Sequence, residues 1–265
     1  MSVIPWQIVF VWLALIVSAP ALHAQTERLV RDQYGGIVRG DVSAKKLALV
    51  FTGDEKGEST EPILDVLKER GVRGGFFVTG NFVRQPALKR LLKRALAEGH
   101  YVGPHSDKHP LYASWEMREK SIITQKEFTA DLSRNVEGLR AIGALSGKPL
   151  GGKVLFIPPY EHFNRDQVEW SRPLGVTLFN FTPGSGSNRD YAPEGDSHFA
   201  TSQKIYDDIL AYERKDPHGL NGFVLLMHLG SGRADPLHPR LGALCDELTK
   251  RGYEFVRIDE LLTAR

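Results

Sequence analysis

Cysteine is nearly missing from this chain, with one residue, Cys245, in 265. No disulfide framework and no thiolate metal cage can be built from it. An excess of charge of one sign is missing as well. The 34 basic and 32 acidic residues are mixed along the chain and leave a net +2. There is no basic stripe for nucleic acid and no like-charged block for a disordered tail. No Gly-rich dinucleotide turn follows the first strand pattern, and no repeat, low-complexity tract or linker divides residues 40–265. These absences leave a single soluble domain that does not bind nucleic acid. Its 42 % hydrophobic content supplies an ample core at this length.

The one long apolar stretch lies at the start. Ile4 to Val17 is almost wholly apolar, Ser18 to Ala24 is rich in small residues, and no charged side chain precedes Glu27. Residues 1–24 read as a secretory signal, too short for a membrane span that would persist after cleavage. Because the stretch has no Lys or Arg before it, a retained N-terminal anchor is the alternative. Export predicts a secreted or periplasmic protein, with residues 25–44 as an extension and residues 45–265 as the domain.

From residue 45 onward, short apolar runs alternate with amphipathic ones. Strands are predicted at Leu47–Thr52, Gly75–Thr79, Tyr101–Pro104, Val154–Ile157, Val176–Phe181, Phe223–Met227 and Glu254–Ile258. Helices are predicted between them: 62–70, 87–98, 128–142, 164–172, 202–214 and 241–251. Thr124 and Glu127 form a capping-box pattern ahead of the third helix, and Gly71 and Gly99 are helix stops. Continuously apolar strands joined by helices indicate a parallel sheet covered on both faces. Seven such units favour an α/β barrel, closed or nearly so, in which chemistry gathers at the carboxyl ends of the strands.

The polar residues fall at those ends. His105 and His109 follow the third strand in His-Ser-Asp-Lys-His-Pro, and Asp54 and Glu55 follow the first. Two imidazoles and a carboxylate are the ligand set of an open catalytic metal site, in which a divalent ion activates water. Pro158-Pro159-Tyr160-Glu161 follows the fourth strand, Asn180 and Thr182 close the fifth, and His228 follows the sixth. His100, His162, His198, His218 and His238 lack such placement and read as structural or surface residues. Asp107 reads as a turn residue, and Cys245 as a small core residue. Tyr112 and Trp115 read equally as sugar-stacking or packing residues, and Asp190 and Tyr191 lie in a long loop that could meet substrate.

These motifs resemble the polysaccharide deacetylase family, which carries the NodB homology domain, over residues 45–262. The resemblance implies a distorted (β/α)7-type barrel in one domain and hydrolysis of acetyl groups on a glycan. His105 and His109 would be metal ligands, with zinc foremost as the divalent ion. The family ends its first strand with Thr-Phe-Asp-Asp-Gly, an acidic pair serving as base and ligand. Here Thr52-Gly53-Asp54-Glu55 carries the pair two residues later. Taken in order, Asp54 is the base and Glu55 the ligand, and the reverse stays open. His228 matches the general acid. Phe156-Ile157-Pro158-Pro159-Tyr160 resembles the segment forming one wall of the substrate groove, where Pro159 and Tyr160 would meet substrate and the Tyr160 backbone N–H would serve the oxyanion, with Glu161 just past it as a substitute for the polarity lost at Ile157. Ile157 stands where the family has Arg, and Leu229 where an Asp often follows the His. The partner implied is an acetylated glycan. A hydrolase of another amide or ester, or a binding relic of the same fold, are the competing readings.

Overall fold

A computed structural model describes residues 29–145 and 154–263, so the expected signal at 1–24 lies outside the described residues. The elements in chain order begin with a short antiparallel pair, β1 (Val30–Arg31) and β2 (Ile37–Arg39). Next come β3 (Lys46–Gly53), α1 (Thr60–Glu69), β4 (Gly75–Val78), α2 (Gly80–Arg84) and α3 (Pro86–Ala97). They are followed by β5 (Tyr101–Pro104), α4 (Gln125–Ala141), β6 (Val154–Phe156), α5 (Arg165–Ser171) and β7 (Val176–Leu178). The chain ends with α6 (Ser202–Lys215), β8 (Phe223–His228), α7 (His238–Lys250), β9 (Glu254–Phe255) and α8 (Ile258–Leu261). No helix among the described residues is long and apolar enough to cross a membrane.

Parallel strands run in the order β5-β4-β3-β8, with β9 beside the start of β3, while β6 and β7 form a separate parallel pair. Single hydrogen bonds join the two sheets. Ile157 N–H donates to the Pro104 carbonyl at 3.4 Å, and Thr182 N–H to that of Val224 at 3.1 Å. The segment expected to be an extension completes the wall. Ile37 bridges Phe179, its carbonyl accepts from Asn180 N–H at 2.7 Å, and Gly40 N–H reaches Gly222 at 2.7 Å. The barrel is distorted because these gaps are closed by isolated bonds rather than ladders. The closing strand is shorter than its apolar run suggested, since Ile258 already opens α8.

Side-chain parity along the strands decides what reaches the barrel mouth. On β3, Ala48 and Val50 point into the barrel with Phe77, Tyr101, Leu155, Ile157, Phe179, Val224 and Leu226. Leu47, Leu49 and Phe51 point outward into the layer packed by the helices. Continuing the alternation puts Thr52, Thr79, His105 and His228 over the interior and turns Gly53 toward the helices. An added Cβ on Gly53 would lie 2.9 Å from atoms of both Leu229 and Phe82, so that position is filled from the outer layer.

Candidate active site

His105 is the most firmly held residue of the mouth. Its backbone N–H donates to Asn135 Oδ1 at 2.9 Å, and Asn135 Nδ2 donates in turn to the Val78 carbonyl at 3.2 Å. Its Nδ1 lies 2.9 Å from the Ile157 carbonyl. A carbonyl only accepts, so Nδ1 carries the proton and Nε2 presents a lone pair. Burial holds the His105 imidazole well below its ordinary range, and the charge that His109 would carry adds to this. His109 is likewise lowered by burial, against the pull of Asp54. The two Nε2 atoms are 3.2 Å apart.

The loop between these histidines is pinned from below. Asp131 on α4 accepts the N–H groups of Asp107 and Lys108 at 3.1 and 3.0 Å, and the buried Asp107 carboxylate meets Arg84 at 2.6 Å. Ser106 and His109 adopt left-handed backbone at φ 77° and 56°, which brings the second imidazole back over the first. At Gly80 an added Cβ would lie 1.8 Å from Asp107 Oδ1, so the approach of this loop to α2 requires glycine. Asp107, expected to be a turn residue, is a buried anchor of the loop.

Asp54 and Glu55 go different ways. Thr79 Oγ1 and Asn81 Nδ2 donate to Asp54 Oδ1 at 2.8 and 3.0 Å, and the Asp54 charge is felt at His109. Glu55 is exposed on the cavity rim, and its backbone carbonyl accepts from Gln85 at 2.8 Å. Among the described residues no three His, Cys, Asp or Glu side chains gather closely enough to hold a metal ion. Two do. Ligand nitrogens at tetrahedral zinc distances are about 3.3 Å apart, so the spacing and tautomer of the histidine pair fit a divalent ion. Asp54 is the carboxylate whose charge reaches His109, and Glu55 stands on the cavity rim.

His228 ends β8 directly opposite Thr52. Asp190 accepts from its Nδ1 at 2.7 Å and from its backbone N–H at 2.8 Å. Burial pulls the His228 imidazolium down, but the charges of Asp190 and Glu161 outweigh it and raise the pKa above the ordinary value. Asp190 lies in a 3-10 turn at Ser187–Tyr191 and is almost fully buried. The sequence marked it only as a residue of a long loop, and no strand-end signal announces a partner that arrives 38 residues earlier in the chain.

Pro159, Tyr160 and Glu161 form a tight turn whose last two residues are left-handed at φ 57° and 51°. The Asn180 side chain holds it by donating to the Glu161 carbonyl at 2.8 Å. Pro159 is buried beneath, and the Tyr160 ring lies 4.4 Å from that of His109. Trp115, 59 % exposed, packs on His162 at 4.1 Å and edges toward Tyr160 at 6.1 Å. Tyr112 is instead core, fully buried with its hydroxyl on Asp131. His100 and His238 bond to Gly74 N–H and the Ser59 hydroxyl, as structural histidines do. The cavity these walls enclose is about 590 Å³ and is lined by Asp54, Glu55, His105, His109, Tyr160, Glu161 and His228 among others.

Comparison with known proteins points the same way. The chain is 41 % identical over 80 residues to the peptidoglycan-N-acetylmuramic acid deacetylase PdaA of Bacillus subtilis, which is 30 % of this chain and 29 % of that protein. It is 27 % identical over 225 residues to the peptidoglycan-N-acetylglucosamine deacetylase PgdA of Listeria monocytogenes, 82 % of this chain and 39 % of that one. It thus spans well under half the length of these relatives. The solved structure of Bacillus subtilis PdaA, a family 4 carbohydrate esterase, superposes with a TM-score of 0.67 at 25 % identity, covering 86 % of this chain and 85 % of that one. The family profile described as polysaccharide deacetylase matches residues 39–179, more than half of the sequence. With its α/β barrel and the histidine motif on the rim of β5, this chain belongs to the polysaccharide deacetylase family.

Proposed function

We propose that the chain removes acetyl groups from an acetylated glycan of the cell-wall type, outside the cytoplasm, with a divalent metal ion, zinc foremost. The observation that carries this reading is one cavity with two kinds of imidazole. Burial pushes His105 and His109, with their converging Nε2 atoms, toward their neutral forms, and His228 is held toward its protonated form by Asp190. Environments that push like groups apart in pKa assign them different tasks.

His105, His109 and Asp54 would hold the ion, and Glu55 on the rim would take the proton of the attacking water. When bound, such an ion polarises the acetyl carbonyl and makes water acidic enough to attack near neutral pH. The chain's own residues do the rest. His228 gives its proton to the departing amine or alkoxide, and Asp190 stabilises the charged imidazole before that step. The Tyr160 backbone N–H, aimed by the left-handed turn, donates to the developing oxyanion. The Tyr160 and Trp115 rings offer the apolar faces on which a sugar packs.

A glycan-binding relic is the second reading, favoured by Thr52 and Gly53 at the very end of β3, neither of which carries a carboxylate. Calorimetric titration with zinc separates part of the question. One ion per chain is expected for wild type and none for the His105→Ala/His109→Ala double variant. Equal binding by both removes the metal assignment.

A further inference from the structure

Among the described residues of the cavity wall, Glu161 is a carboxyl to which the catalytic scheme gives no role. It makes no side-chain hydrogen bond or ion pair among the described residues, and only its backbone is engaged, by Pro158 and Asn180. It opens into the same cavity as His228 and lies close enough to feel the charges of His228 and Asp190. Burial raises its pKa to about 7, and the Asp190 charge adds to this while His228 opposes it. The turn that carries it is left-handed at two successive non-glycine residues, an arrangement a glycine would adopt without strain. A strained backbone that delivers an unpartnered carboxyl to the acid side of a cavity calls for a ligand donor there.

We propose that Glu161 selects the sugar, accepting a hydrogen bond from a free hydroxyl beside the acetamido group. The site then takes N-acetylglucosamine-type units in preference to units that carry an acid at that place. This rests on the deacetylase reading. His228 must lie next to the nitrogen that leaves, so Glu161, on the same side, meets the ring positions flanking that nitrogen. N-acetylmuramic acid has there an ether in place of the hydroxyl, and its lactyl carboxylate brings a second negative charge. Glu55 on the rim adds to the negative wall, whereas the charge of Asp54 would be offset by the ion it holds. Among the described residues, Lys56 is the only Lys or Arg on the lining, and its ammonium is drawn to the Ser231 carbonyl at 3.0 Å. Once Glu161 is ionised, above its raised pKa, a like charge about 5 Å away disfavours binding by roughly fourfold in a water-like dielectric and a few hundred-fold in a partly enclosed one. The lost hydrogen bond acts in the same direction.

Peptide-free peptidoglycan glycan strands test this directly, because both sugars alternate in one substrate and mass spectrometry reports which has lost its acetyl group. Wild-type protein supplied with zinc is expected to deacetylate N-acetylglucosamine at least tenfold faster than N-acetylmuramic acid. Glu161→Gln should narrow that ratio to about threefold or less, slowing the first sugar and speeding the second. Glu161→Gly should narrow it equally while melting no lower than wild type, since glycine suits the left-handed backbone. This second variant keeps the test intact if Glu161→Gln folds poorly. A wild-type preference for the acidic sugar, an unchanged ratio in the active variants, or complete loss of turnover on both sugars in folded variants overturns the proposal and leaves the deacetylase reading standing. If wild type releases acetate neither from these strands nor from acetylated chitooligosaccharides, the deacetylase reading fails and this proposal fails with it.

Discussion

Replacing Asp190 with Asn would show whether His228 is an acid by design or by proximity. Asp190 accepts twice from His228, at 2.7 Å from the ring and 2.8 Å from the backbone, inside a nearly closed environment. Charge-assisted bonds of this kind contribute about 1.5–3 kcal/mol. At 1.36 kcal/mol per unit, their loss lowers the His228 pKa by roughly one to two units. The sign follows from the group. His228 is raised above its ordinary value, so the acid form is present below that raised pKa and is lost as pH rises through it. In Asp190→Asn the alkaline limb of the kcat–pH profile should therefore move to lower pH. At neutral pH kcat should fall by about 10- to 100-fold, with zinc stoichiometry unchanged. The assay is acetate release across pH 5–9 beside an NMR titration of the His228 ring. An unshifted alkaline limb together with an unshifted ring titration would refute the reasoning.

Two further outcomes follow from buried polar groups. His100 is buried and lowered to about 4, with its Nδ1 accepting Gly74 N–H at 3.0 Å. The unfolded chain therefore takes up a proton that the folded chain refuses between its ordinary pKa of 6.5 and about 4. Stability should fall by up to about 3 kcal/mol as pH drops across that window. Urea unfolding checks this, and a slope no steeper than that of His100→Gln contradicts it. Thr52 Oγ1 is buried and has no partner among the described residues. Thr52→Val should thus leave stability unchanged or raise it by about 1 kcal/mol, and a loss of more than that would show that the hydroxyl is satisfied in solution.

Much of the barrel was legible because burial on both faces writes itself into sequence. β3, β4, β5 and β8 fall within a residue of their apolar runs, and the Thr124–Glu127 capping box opens α4 as its spacing predicts. Short polar-flanked segments were not legible. Ile37–Arg39 has three residues, pairs only with the two-residue β1, and fills the gap between β7 and β8. The histidine motif, His228 and the Tyr160 turn come together on one rim because strand ends converge in a barrel, which alternation alone predicts. The different placement of the Asp54 and Glu55 side chains was beyond reach. It depends on Thr79 and Asn81 capturing one carboxylate after the strand has ended. The Asp190–His228 pair is set by a loop that crosses the mouth, and no periodicity encodes such a crossing.

The central claim is that this cavity hydrolyses acetyl groups with metal help and an imidazole acid. The most direct measurement is acetate released from an N-acetylated glycan by the zinc-supplied protein, its chelated form and the His228→Ala variant. Turnover by the first, none after chelation, and a reduction of about 10²–10⁴-fold in His228→Ala with zinc still bound is the expected result. Equal acetate release by all three, or none from the zinc-bound wild type on any acetylated glycan, would contradict it.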